Sequence, residues 1–477
     1  MSLINALRTA DARTENGMVT NSSSHSACLD LFFIIGAVRP LMKDESGRNR
    51  LINKFEAAHA EDALITRKML FWARDVRGGA GEREAFRVLL RHASKTYPNE
   101  VIENIHLISE FGRWDDVFET FGTTVERAAI ELIIKNLKEG NSLLCKWLPR
   151  LGGKVHPSKR LISNKVRNAM GLSASEFRKL IVSKTNVVET LMCSKNYANI
   201  NYSHIPSLAM TRYSKAFYKN DLEGFKAFKE SLVKGEVTVN AGAVYPYDIT
   251  KSLRNGDTTI ANEQWKALPD YMKGNTERVL PVCDTSGSMS TLVSGTTSAM
   301  DVSISLGLYI SERNEGPFKN AFITFSERPE LQYLHGDLRS RFSQMSSSNW
   351  GYNTNLQAVF ELVLDKAVKS RVPASEMPTV ILIISDMEFD EATQRGSTAL
   401  EMIRSKYESA GYEMPNIVFW NVASRHDNVP AQVKDERTAL VSGFSPSILK
   451  SVLSGKNISP ISIMLDIVNS ERYSVVQ

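Results

Sequence analysis

Cysteine is scarce and scattered: Cys28, Cys145, Cys193 and Cys283 are the four in 477 residues, and no two form a CxxC pair. That spacing excludes a disulfide framework and leaves the four as small buried hydrophobes in a reducing compartment, so a cytoplasmic location is expected. Long apolar runs are missing too. The best candidate, CLDLFFIIGAV (Cys28–Val38), contains an Asp and is too short to span a bilayer. It also lacks the basic start and small-residue cleavage pattern of a signal peptide, so a buried helix is expected there and no membrane is involved. Histidine offers little for catalysis: after residue 275 only His335 and His426 occur, each in a loop, with no Ser/His/Asp constellation around them. What is present, 42% hydrophobic and 23% charged residues, is the composition of a soluble globular chain too long for one core.

The net charge of +5 hides a strong asymmetry. Between Asn141 and Asn220 there are 14 Lys and Arg against Glu176 and Glu189, which is +12, and the rest of the chain is 5 − 12 = −7. Within it, KWLPRLGGKVHPSKRLISNKVRNAMG carries Lys146, Arg150, Lys154, Lys159, Arg160, Lys165 and Arg167, interleaved with Trp147 and His156. Clustered cations neutralise phosphates and release counterions, and aromatics stack unpaired bases, so nucleic acid is the expected partner. The bland alternative is a solvated face of a helical repeat. Tyr197, Tyr202, Tyr213, Phe217 and Tyr218 farther on read as core rather than as base platforms.

Apolar spacing changes its period along the chain. AEDALITRKMLFWARDV (60–76), EREAFRVLLRHASKTY, EVIENIHLISEFG and TTVERAAIELIIKNLKEG follow a helical period, broken by glycines and Pro98. RDVRGGAGER follows a helix and lacks the Lys-Ser/Thr of a phosphate loop, so it reads as a helix-hairpin turn. Later, ERVLPVCD, NAFITFS, TVILIISDM and NIVFWNVAS are short β-rich runs separated by helical stretches, the pattern of a parallel sheet covered on both faces. The expected organisation is an N-terminal arm over residues 1–24, either mobile or docked, an α-helical repeat domain of the HEAT type over 25–275, and a doubly wound α/β domain over 276–477.

PVCDTSGSMS places Asp284 at the end of a strand, where open parallel sheets bind ligands. Asp284, Ser286 and Ser288 alternate around Gly287, so their oxygens can face one side, and oxygen donors suit a hard cation such as Mg2+. Alone, the pattern also describes a polar turn after a strand. Thr354 in NWGYNTNL and Asp386 in IISDMEFD follow in order, and with them the segment resembles the von Willebrand factor A domain and its metal-ion-dependent adhesion site. The resemblance implies Mg2+ or another divalent cation, bound directly by Ser286 and Ser288, directly or through water by Thr354, and mainly through water by Asp284 and Asp386. One coordination position is left for an acidic ligand.

RDVRGGAGER, GRWDD, KWLPR, VVETLMC and IPSLAMTRYSKAF, followed by a domain with DTSGSM, are similar to the TROVE-type proteins, which include the Ro autoantigen, and to a related uncharacterised family of plants, fungi and large phages. In Ro proteins helical repeats form a ring, closed by the A domain, that binds small noncoding RNAs and admits single-stranded RNA ends. The resemblance implies a non-enzymatic RNA-binding scaffold for small or misfolded RNAs. The competing expectation is a metal-dependent protein-interaction scaffold, without RNA, that docks a partner carboxylate.

Overall fold

The computed structural model describes residues 12–254, 258–325, 328–348, 354–391, 398–454 and 458–477. The first half is helical. α1 (Ala27–Ile35) starts at Ser26, whose side chain accepts from the Leu29 N–H, and only its first residue escapes burial, as a helix apolar all round requires. α2 (Glu45–Glu61) and α3 (Ala63–Arg74) meet at Asp62, which leaves helical geometry and caps α3 through the Ile65 N–H. The helix expected to run unbroken from residue 60 is therefore a junction of two. α4 (Arg83–Thr96), α5 (Glu126–Glu139), α6 (Pro157–Ala169), α7 (Ala174–Lys184), α8 (Ser207–Asn220), α9 (Leu222–Lys234) and α10 (Pro246–Ser252) follow.

The second half is a six-stranded mixed sheet with helices between its strands. In chain order its strands are β1 (Val279–Asp284), β2 (Ala321–Phe325), β3 (Leu331–Tyr333), β4 (Val380–Ser385), β5 (Asn416–Asn421) and β6 (Thr438–Ser442). α11 (Ala299–Arg313), α12 (Leu356–Ser370) and α13 (Ala399–Ala410) connect them, and α14 (Pro460–Val468) comes after β6. In space the strands run β6-β5-β4-β1-β2-β3. All pairings are parallel except β2 with β3. The all-parallel expectation is corrected at that edge: β3 is three residues long and largely exposed, as an edge strand can be. Every residue of β1, β2, β4 and β6 is buried, so both faces of the sheet are covered. Since β1 sits between β2 and β4, the chain leaves β1 toward one side and returns on the other, which opens a crevice beyond the carboxyl ends of β1 and β4.

Packing does not divide where the element type changes. One apolar cluster joins helical residues such as Leu29, Trp72 and Phe86 to sheet residues such as Val282, Ile383 and Trp420. α1 lies directly on β6: Ser442 Oγ donates to the Phe32 carbonyl (2.8 Å) and accepts from the Gly36 N–H (3.1 Å). Gly36 is required there, because a Cβ would stand 2.6 Å from the Ser442 carbonyl oxygen. A second, smaller core gathers Ile200, Tyr202, Met210, Phe217, Phe225 and Leu232. Among the described residues no helix is long and apolar enough to cross a membrane. Cys193 is exposed, which corrects the expectation of four buried thiols.

Candidate functional site

Asp284 ends β1 fully buried. Its Oδ1 accepts from the Ser286 N–H (2.9 Å) and its Oδ2 from Ser385 Oγ (2.5 Å) at the end of β4. Ser286 and Ser288 bring their hydroxyl oxygens 3.0 Å apart on the following loop. Asp386, also buried, accepts from the Glu388 N–H (3.3 Å) and from Arg425 Nη2 (3.0 Å). Burial first, and then the negative charge of Asp386, push the Asp284 carboxyl up to about 7. Burial also raises Glu388. Two buried carboxylates thus crowd a crevice whose other donors are hydroxyls, a set suited to a hard cation. Among the described residues no group of three or more His, Cys, Asp or Glu could hold a metal by itself.

Thr354 joins this neighbourhood through the chain after β4: its hydroxyl shares its hydrogen between the Glu388 carbonyl (2.7 Å) and Asp390 Oδ1 (3.0 Å), and its N–H donates to Asp390 Oδ2 (2.8 Å). Residues 349–353 of NWGYNTNL lie outside the described residues, as do residues 1–11 of the N-terminal arm. The described part of the arm lies against this edge. Asn16 Nδ2 donates to Thr354 Oγ1 (3.0 Å) and to the Glu388 carbonyl (2.7 Å), and the Glu15 N–H donates to Glu388 Oε2 (2.6 Å). Arg425 stands between Glu15 (3.1 Å) and Asp386 (3.0 Å), and His426 lies 3.7 Å from Glu15.

The seven cations singled out from the sequence fall into two groups. Lys146 pairs with Glu189 (2.7 Å) and Lys165 with Glu126 (2.6 Å). Arg160 donates to the Val155 and Gly153 carbonyls (2.9 and 3.0 Å), and Arg167 to that of Leu172 (2.9 Å). Arg150, Lys154 and Lys159 are exposed and have no ion-pair partner among the described residues. Trp147 is half-buried beneath the Arg113 guanidinium (4.3 Å), and His156 caps α6. Of the five aromatics assigned to core, Tyr202 and Phe217 are buried, but Tyr218 is 49% exposed, which corrects that reading. It borders a groove of about 670 Å3 with Arg212, Lys215, Phe225 and Lys229, whose ammonium stands 5.4 Å from the Tyr218 ring.

A cavity of about 710 Å3 between the helical half and the hairpin after the DTSGS loop is lined by Arg39, Lys43, Arg74, Arg83, Arg113 and Arg212 against Glu82, Glu84 and Asp248. Arg39 pairs with Glu82 (2.6 Å) and Arg74 with Asp116 (2.7 Å). Arg113 Nε and Tyr245 Oη, both on lining residues, have no hydrogen-bond partner among the described residues. Burial pushes Glu82 up to about 7 and Asp248 up to about 6, in each case against nearby cations that lower it.

Asp248 gives a signed expectation. An unfolded Asp titrates near about 4, so between that value and about 6 the folded form holds the proton more tightly, and stability drains away as the pH rises through this window. Asp248→Asn keeps an acceptor for the Tyr245 N–H and removes the ionisation. Between pH 4 and pH 8 the unfolding free energy from urea titrations should therefore fall by about 2 kcal/mol less in the variant than in the parent. An unchanged difference would refute the assignment.

Several residues that shape these sites carried no signal in the sequence. Ser385 and Glu388 adjoin Asp386 and were readable only by proximity; Asn16, Arg425 and Arg113 arrive from distant segments.

Residues 14–137 and 153–277 match the family described as Domain of unknown function (DUF2828), and residues 278–472 match Domain of unknown function (DUF7788). Uncharacterized protein L728 of Acanthamoeba polyphaga mimivirus is 28% identical over 509 aligned residues, covering 95% of this chain and 86% of that protein. Among solved structures, the Deinococcus radiodurans RO (RSR) protein aligns over 97% of this chain and 96% of its own at 12% identity, with a TM-score of 0.35, which carries no argument about fold or function. With more than half of its length matched by the first of these models, the chain belongs to the DUF2828 family of unknown function.

Proposed function

We propose that this protein is a non-enzymatic RNA-binding scaffold of the small-ribonucleoprotein or RNA quality-control type, with a Mg2+-dependent docking site of the von Willebrand factor A kind on its sheet. The observation that carries the RNA reading is the groove that Arg212, Lys215 and Lys229 line together with the exposed Tyr218. A cationic groove that tracks phosphates beside an aromatic that stacks a base is the arrangement single strands require. Arg150, Lys154 and Lys159 extend the positive surface, and the TROVE-type motifs in the sequence agree with it.

The test is equilibrium binding of a labelled structured RNA with a single-stranded end, over a salt series, with Mg2+ and with EDTA. Tight binding with a steep salt slope supports the reading. Affinity no greater than that of a generic basic protein ends it.

The residues at the carboxyl ends of β1 and β4 fit the metal. Ser286 and Ser288 offer paired hydroxyl oxygens, and Asp284 and Asp386 are like charges that a cation between the two loops would relieve. Thr354 is the fifth candidate. When bound, Mg2+ supplies one open position for an acidic oxygen. The chain's own residues do the positioning: Ser385 orients Asp284, Asp390 holds Thr354, and Arg425 balances Asp386. Added Mg2+ is expected to raise the thermal midpoint, since a cation at a hundred times its Kd stabilises by about 2.7 kcal/mol. Ser286→Ala/Ser288→Ala should abolish the shift, and a shift that survives in that variant would place the cation elsewhere.

One observation favours the protein-docking alternative. Glu15 brings a carboxylate to Arg425, the guanidinium that also pairs with Asp386, so an acidic side chain is already held next to the proposed docking residues. Loss of a captured protein partner in Asp284→Ala, with RNA affinity unchanged, would support that reading.

A further inference from the structure

A cavity of about 380 Å3 shares no lining residue with the cationic groove, the cationic cavity or the oxygen cluster. It forms where the RDVRGGAGER turn after α3 meets Tyr271, the short helical segment around Ser447–Ser451, and the chain after α14. The turn is built on Asp75, which is fully buried. Its carboxylate accepts from the N–H groups of Arg77 (3.0 Å) and Gly78 (3.1 Å), from Arg472 Nη2 (2.8 Å) and from Tyr473 Oη (3.0 Å). The negative charge beside the cavity is therefore satisfied.

What the cavity retains is mostly donors. Trp72 lines it, is 0% exposed, and its indole Nε1 has no hydrogen-bond partner among the described residues. An indole N–H can only donate, so it calls for an acceptor. Arg77 and Lys450 line the cavity, are exposed, and have no ion-pair partner among the described residues. Ser451 and Ser470 add hydroxyls. Ser447, Arg472 and Tyr473 also line it, the first donating to the Gly78 carbonyl and the other two to Asp75; the apolar wall is the buried Ile448 with Ile467, and the Lys450 ammonium stands 5.4 Å from the Tyr271 ring. Glu471, exposed at the margin, is the one carboxylate among the lining residues.

Two exposed cations without ion-pair partners among the described residues, one of them against an aromatic ring, around a single cavity select an oxyanion attached to an apolar body. We propose that this cavity binds a phosphomonoester carried on a small aromatic or apolar group, with Arg77 and Lys450 on the phosphoryl oxygens and Tyr271 and Ile448 against the organic part. The site stands apart from the RNA reading and survives its failure.

The probe is phenyl phosphate, titrated calorimetrically into the full chain beside inorganic phosphate and phenol. Phenyl phosphate should bind saturably, with a Kd at or below about 1 mM, inorganic phosphate more weakly, and phenol not at all. Arg77→Gln/Lys450→Gln, both on exposed positions, should weaken binding by about tenfold or more, the scale of losing charge-assisted hydrogen bonds. Glu471→Gln should tighten it by about two- to threefold, because an exposed like charge is removed. The proposal is overturned if no saturable heat is seen, if Arg77→Gln/Lys450→Gln binds like the parent, or if Arg212→Gln/Lys215→Gln removes the binding instead, which would locate it in the cationic groove.

Discussion

Asp116→Ala is expected to remove about 3–5 kcal/mol of stability, the cost of leaving buried cations without their counter-charge. Asp116 is fully buried and serves three donors: Arg74 Nε (2.7 Å) and the Arg113 N–H (2.9 Å) on Oδ2, and Arg87 Nε (2.7 Å) on Oδ1. Arg74 is itself only 2% exposed, so water cannot replace the lost carboxylate. Arg87 also reaches Asp115 (2.7 Å), which softens its share of the loss and leaves Arg74 as the main cost. The network ties the GRWDD segment to α3 and α4, so removing the Asp116 carboxylate loosens the helical half where it borders the cationic cavity. Urea unfolding followed by circular dichroism measures it. Arg127→Ala is the control: its pair with Glu131 lies in solvent and should contribute nothing measurable. A loss in Asp116→Ala no larger than the control's would show that the buried carboxylate is dispensable.

The second large effect separates two sets of cations that look alike in the sequence. Arg150, Lys154, Lys159, Arg212 and Lys215 are exposed and have no ion-pair partner among the described residues. Replacing these five with Gln should weaken binding of a single-stranded-ended RNA by about a hundredfold and lower the salt slope by roughly one unit for each phosphate left without its cation. Replacing Lys146, Arg160, Lys165 and Arg167 instead removes interactions made within the fold, with Glu189, Glu126 and the loop carbonyls. That variant should lose thermal stability and keep most of the salt slope. Fluorescence anisotropy over a salt series, run beside a melting curve for each variant, reads both quantities. Equal effects of the two sets on the slope would mean that bulk charge, and not this surface, governs binding.

The strand runs were readable because VLPVCD and VILIIS are buried on both faces, and a strand with no polar face leaves a continuous apolar signature. β3 carries no such signature because a three-residue edge strand needs neither length nor apolarity. β6 carries only a weak one because TALVS is short and part of its support comes from α1, some 400 positions earlier in the chain. Tyr218 departs from its expected place in the core for a related reason. It shares α8 with the buried Met210 and Phe217, and helical spacing assigns a residue to a face without saying where that face stops.

By itself the sequence determined the switch from helical to α/β periodicity, the placement of Asp284 and Asp386 at the ends of apolar strands, and the concentration of positive charge between residues 141 and 220. These are local properties: period, strand-end chemistry and composition are carried by neighbours in the chain. Tertiary structure alone decided which cations remain available, that Asn16 and Arg425 reach Thr354 and Asp386, and that Arg113, Tyr245 and Trp72 hold unsatisfied donors beside cavities. The reason is that a charge is neutralised, or a donor orphaned, by whatever packs against it, and here those partners lie tens to hundreds of residues away.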